Sequence, residues 1–157
     1  MKILQKFVIQ KKESDTIMNI DEFKNIFSNC EINQDKIILE SGIKDAIIFI
    51  KNNYQFNVLK EMIAIDNMEN GIELIYHLFS EKNLEDTFIS TTVKDETESV
   101  SDIFESAVAD ENEIYDLFGI NFVGNKYLKR LYMPEGWIGN PLRKDYQNTD
   151  ERISWND

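Results

Sequence analysis

Three apolar runs, Val58 to Asp66, Ile72 to Ser80 and Leu84 to Val93, follow one another with links too short for a crossover. Parallel neighbours need a connection of about a dozen residues or more, so these runs predict an antiparallel meander. Asn70-Gly71, between the first two, is a hairpin signal. The flanking pattern is helical. Asp21 is placed to cap a short helix with Phe23, Ile26, Phe27 and Cys30 on one face. A short apolar run from Lys36 to Leu39 predicts a strand. Ile43, Ala46, Ile47, Ile50 and Tyr54 then mark one face of a second helix. The spacing of Val100, Ile103, Phe104, Ala107 and Val108, continued by Ile114, Leu117 and Phe118, predicts a helix from Ser99 to Phe118. Gly119 is well placed to end it, because glycine reaches the left-handed conformation cheaply.

At 157 residues the chain is sized for one domain, and 42% apolar against 29% charged residues is a globular composition. No stretch is long and apolar enough to predict a membrane span. The run at Met1 to Glu13 is broken by Lys6, Lys11 and Lys12 and lacks the form of a secretory signal, so a soluble, intracellular protein is expected. Cys30 is the single cysteine, which excludes an internal disulfide and a cluster held by this chain alone. His77 is the single histidine, which excludes a multi-histidine zinc site. In its expected strand it reads as a packing residue rather than a general base. No phosphate-binding glycine loop and no nucleophile elbow occur.

A net charge of -12 disfavours nucleic acid and anionic lipid as partners. From Asp95 to Asn125 acids recur with no Lys or Arg. Such a run is most often a solvated helix face, with steering of a basic partner as the functional alternative. Within it Glu111, Glu113 and Asp116 form the one candidate metal or acid–base cluster, and a stand-alone metal-dependent enzyme is the alternative they suggest. After Gly119 periodicity stops. The segment to Tyr146 has both prolines and is rich in glycine, yet it carries Phe122, Tyr127, Leu128, Leu131, Tyr132, Met133, Trp137 and Ile138. Aromatics, Met and Arg without periodicity are what partner-binding surfaces use. The division expected is therefore a globular domain over 1–118 and a partner-binding tail over 119–157.

Glu111-Asn112-Glu113, then IleTyrAspLeuPheGlyIle at 114–120, then LeuLysArgLeuTyrMetProGluGlyTrpIleGlyAsnProLeuArgLysAspTyr at 128–146, resembles the signature of the 30-kDa subunit of respiratory complex I (the C-type subunit of NADH-quinone oxidoreductase). The same subunit type occurs in energy-converting nickel–iron hydrogenases and formate hydrogenlyases. The chain departs from the pattern at Asn112, where the family usually has Arg, at Asn125-Lys126 in place of His-Pro, and at Lys129 in place of the first of two arginines. These changes draw the resemblance toward a hydrogenase-type complex.

The resemblance implies an α+β fold, a mixed and largely antiparallel sheet packed against helices with an extended irregular C-terminal tail. It implies a non-catalytic subunit with no cofactor and no catalytic residue of its own. The implied partners are the large subunit that holds the quinone or nickel–iron site and the iron–sulfur subunits of the same complex. Contact with the membrane would be made only through the complex, on its cytoplasmic face. Glu111, Glu113, Asp116, Arg130, Tyr132, Trp137, Pro141, Leu142, Arg143 and Asp145 are the expected partner-binding residues. In one version of this reading the tail leaves the body along the large subunit, with Trp137, Tyr132 and Leu142 as anchors. In another, the three acids hold the tail's own Arg130, Arg143 or Lys144. A free-standing interaction protein with an acidic docking helix is a third possibility, and it predicts a tail folded back.

Overall fold

A computed structural model describes residues 20–33 and 36–147. The expectations for Met1 to Glu13, and for residues 148–157 of the tail, lie outside them. The element order is α1 (Ile20–Ile26), β1 (Cys30–Asn33), β2 (Lys36–Leu39), α2 (Ile43–Tyr54), β3 (Val58–Asp66), β4 (Ile72–Ser80), β5 (Glu85–Val93), β6 (Glu96–Glu98), α3 (Ala107–Phe118) and β7 (Asn121–Val123).

The meander forms as expected. β3, β4 and β5 pair antiparallel, with Met62 opposite Tyr76 and Tyr76 opposite Ile89. β2 joins β5 in parallel and β1 joins β2 antiparallel, so the sheet order is β1-β2-β5-β4-β3. The fold is α+β with a mixed, largely antiparallel sheet. β4 alternates strictly between buried and half-buried residues, which is the period of a strand with one face in the core. Ile72, Leu74, Tyr76 and Leu78 of β4 pack with Ile37, Leu39, Ile89, Leu59 and Met62 of the neighbouring strands. The anticipated stripe of α2 and the α3 residues Ala107 and Ile114 complete the same core. The turn between β3 and β4 contains one 3-10 turn, Met68–Asn70, closed by Gly71. Gly71 has φ +94, and a Cβ there would lie 2.6 Å from the Val93 carbonyl oxygen, so glycine is required.

Three expectations change. The first helix stops at Ile26, and Cys30 opens β1 rather than extending the apolar face of α1. Phe23 and Phe27 do pack together, with ring centroids 4.7 Å apart, while Ile26 is exposed. The long helix begins at Ala107, not Ser99. Residues 99–106 form turns instead, and the cause is Glu111. Its Oε1 accepts the Val100 N–H at 2.8 Å and its Oε2 accepts the Ser99 hydroxyl at 2.7 Å. In one continuous helix those partners would stand about 18 Å apart along the axis, so the chain must fold back. Finally, β6 and β7 form an unanticipated two-stranded parallel pair. Ile120 and Phe122, beside and within β7, are fully buried.

His77 sits on the face of the sheet opposite the core residues of β4. Its Nδ1 lies 3.1 Å from a Glu61 carboxylate oxygen and its Nε2 lies 2.7 Å from one of Asp86, and its ring stacks on Phe88. The packing reading of this histidine fits that environment.

Candidate functional site

Four carbonyls at the end of an α-helix have no partner within the helix. In α3 these belong to Tyr115, Asp116, Leu117 and Phe118, and the residues that follow collect all four. Gly119 N–H donates to Tyr115 O at 3.0 Å as the helix turns left-handed, with φ +79. Asn140 Nδ2 donates to Asp116 O at 3.0 Å, the Leu142 N–H to Leu117 O at 3.0 Å, and Arg143 Nη1 to Phe118 O at 3.0 Å. The two halves of the signature, Asp116 to Ile120 and Gly139 to Asp145, are thus the two sides of one clasp.

Asp116 holds the intervening limb. Its side chain is fully buried. Oδ1 accepts from Arg130 Nη1 at 2.9 Å, and Oδ2 accepts the consecutive backbone N–H groups of Leu131, Tyr132 and Met133 at 3.0, 2.7 and 2.9 Å. Desolvation pushes this carboxyl up, but those four donors outweigh it and hold it below its ordinary value. Arg130 also donates to Gly139 O at 3.2 Å, which ties the two limbs of the segment together. Farther along, the Lys144 N–H donates to Asp66 at the end of β3, at 2.7 Å.

Glu111, one helical turn and more earlier, accepts Asn125 Nδ2 at 2.8 Å besides Ser99 and Val100. No cation sits among these hydrogen-bond partners, and burial pushes the carboxyl up despite the three donors. Asn112 Oδ1 accepts the Lys129 N–H at 3.1 Å, so the departures from the family pattern at 112 and 125 are both hydrogen-bonded inside the chain. Glu113 is exposed and accepts the Tyr132 hydroxyl at 3.0 Å, a contact that raises the tyrosine's pKa.

The expected acid–base anchoring is therefore present for Asp116 with Arg130. The other expected site residues are distributed differently. Arg143 is committed to Phe118 O, with Asp145 3.8 Å from its Nε. Trp137 and Pro141 are half-buried, while Leu142 and Tyr132 are exposed. Most of the acidic run is solvated, as expected: Asp95, Glu96, Glu98, Asp102, Glu105 and Glu113 are exposed. The exceptions lie on α3, where Glu111 and Asp116 are buried and Asp110 accepts the Met62 N–H at 2.9 Å.

The metal reading of Glu111, Glu113 and Asp116 fails on geometry. The first and last are saturated by protein donors, and among the described residues no group of three or more His, Cys, Asp or Glu is arranged to hold a metal ion. No described helix is long and apolar enough to cross a membrane.

Sequence reasoning missed Ser99, Asn125 and Asn140. They are the polar partners of the signature acids and of the helix end, and their separation along the chain gives no local signal. The tail stays irregular and extended, but it lies back along α3 instead of leaving the body. With its polar side turned inward, Tyr127, Leu131, Tyr132, Ile138 and Leu142 remain exposed, Ile138 at 80%.

The clasp gives a direct prediction. A Cβ at Gly119 would lie 2.5 Å from Asn140 Oδ1 in a left-handed backbone. Gly119→Ala should cost at least about 1 kcal/mol and displace Asn140. A drop in Tm together with faster proteolysis after Val123 checks it.

A family model described as respiratory-chain NADH dehydrogenase, 30 Kd subunit, matches residues 37–152. The C-type subunit of NADH-quinone oxidoreductase from Geobacter sulfurreducens is 28% identical over 144 residues, which cover 88% of this chain and 85% of that one. The J-type subunit of chloroplastic NAD(P)H-quinone oxidoreductase from Agrostis stolonifera is 35% identical over 116 residues, covering 69% and 73%. The C/D-type subunit of NADH-quinone oxidoreductase from Phocaeicola vulgatus is 32% identical over 111 residues, covering 68% of this chain but 21% of that one. The chain thus spans about a fifth of the length of the C/D relatives it matches.

Proposed function

The chain belongs to the family of the 30-kDa subunit of respiratory-chain NADH dehydrogenase, and from that premise we propose that it is a scaffold subunit of a quinone-linked assembly. It docks on the large subunit through the exposed side of its clasped C-terminal segment. The observation that carries this is the sidedness of that segment. Asp116, Arg130, Asn140 and Arg143 face inward, while Tyr127, Leu131, Tyr132, Ile138 and Leu142 are left to solvent.

In the C/D relative the part matched by this chain is about a fifth of a longer polypeptide. The relatives' names favour a quinone-linked complex over the hydrogenase type. In this reading the subunit performs no electron transfer itself, contacts the membrane only through the assembly, and sits on the cytoplasmic face. The iron–sulfur subunits are further neighbours in the same assembly.

A pre-formed clasp lowers the cost of docking, because the segment is ordered before it meets its partner. The test is binding of the purified large subunit to wild type and to an Ile138→Asp/Leu142→Asp variant. Both side chains are exposed, so the fold should be retained. Buried apolar anchors dominate interface energy, and the variant should bind at least tenfold more weakly. Equal affinity refutes the tail as the docking surface, and nickel in the co-purified large subunit would return the assignment to the hydrogenase type.

A further inference from the structure

Asp66 ends β3 and connects two distant parts of the chain. Its Oδ1 accepts the Met68 N–H and its Oδ2 accepts the Lys144 N–H, both at 2.7 Å. One carboxylate therefore holds the tip of the β3–β4 turn beside the end of the clasped segment. Met68 at that tip is 64% exposed and has φ +56. The left-handed region is uncommon for residues other than glycine, asparagine and aspartate. The fold gives this side chain neither burial nor a relaxed backbone.

Resting on the docking reading above, we propose that the β3–β4 turn belongs to the same docking face, with Met68 inserted into an apolar surface of the large subunit. Met68 adjoins, through Asp66, the stretch that carries exposed Leu142. A flexible, polarizable thioether fills irregular apolar surface well, and methionine is over-used at binding surfaces for that reason. The surface that receives this turn is accordingly apolar. The large subunit is the occupant because the turn is continuous, through Asp66, with the tail that docks on it.

The experiment measures affinity of the full chain for the purified large subunit by titration calorimetry, alongside the Tm of the isolated chain. Met68→Asp should weaken binding at least tenfold. Met68→Gly should weaken it severalfold while Tm stays the same or rises, since glycine accepts the left-handed backbone. That combination is not produced by a merely structural role. If Met68→Asp binds within twofold of wild type while Ile138→Asp/Leu142→Asp is still weakened, the turn is not part of the face and the tail reading stands. If wild type does not bind the large subunit at all, both fall together.

Discussion

Asp116→Ala is expected to lower the unfolding free energy by about 3 kcal/mol and to release the C-terminal segment to protease before the body unfolds. The size follows from what the carboxylate does. It is fully buried and is the shared acceptor for Arg130 and for three consecutive backbone N–H groups. Removing an acceptor from buried donors costs about 1–3 kcal/mol for each group left unpaired, and more for charged ones. Here the total is held down because the Arg130 side chain is 30% exposed and water can replace part of what is lost. Asp116→Asn keeps one carbonyl oxygen for the N–H groups but sets an amide donor against the guanidinium, so it should cost roughly half as much. The pH dependence has a definite sign. The folded-state carboxyl lies below its ordinary value of 3.8, so its contribution is present above that value and lost as pH falls through the folded value. The gap between wild type and Asp116→Asn should therefore close on acidification below about pH 4. Urea unfolding followed by circular dichroism measures both quantities. An alanine variant within about 1 kcal/mol of wild type would mean that the segment is held elsewhere.

That carboxylate also shows how far the sequence could be read. The strict alternation of Ile72 to Ser80 and the five-residue face of α2 report burial directly, because each side chain's environment is fixed by its own element. β1, β6 and β7 are too short to carry a period. The start of α3 is misleading because Val100, Ile103 and Phe104 keep helical spacing through turns as well as through a helix. What redirects the backbone there is the Glu111 side chain, which caps Val100 from within α3. The signature acids are legible as important but not in direction. Asp116 stands in a largely solvated acidic run with no local base, and its own partners, Arg130 and backbone N–H groups, lie beyond β7. Once those contacts are known, the exposed side of the tail follows by elimination.

Glu111 should answer the same experiment with the opposite sign. Glu111→Ala strands the Val100 N–H, the Ser99 hydroxyl and the Asn125 amide in a buried site, at a cost of about 3–5 kcal/mol. It should also loosen the 99–106 turn, whose fold-back that carboxylate holds. Glu111→Gln is milder. Its oxygen still accepts the Val100 N–H, and Ser99 can redirect its hydroxyl to the Ser101 oxygen 2.6 Å away. The new amide then faces Asn125 Nδ2, and rotating Asn125 to relieve this sacrifices its 2.8 Å contact with the Tyr127 N–H. A net loss of about 1 kcal/mol is expected near pH 4. Burial raises the folded carboxyl above its ordinary 4.5, so wild-type stability from this group is fully present below that value and lost as pH rises through the folded one. The glutamine variant has no charge to desolvate, so it should gain on wild type as pH rises above about 4.5, whereas Asp116→Asn falls behind as pH rises toward about 4 and then keeps its gap. Two acids on one helix, both buried, then differ because one meets a guanidinium and three N–H groups and the other meets only neutral donors. If both gaps moved with pH in the same direction, solvation alone would govern these acids and the clasp would not depend on how each is partnered.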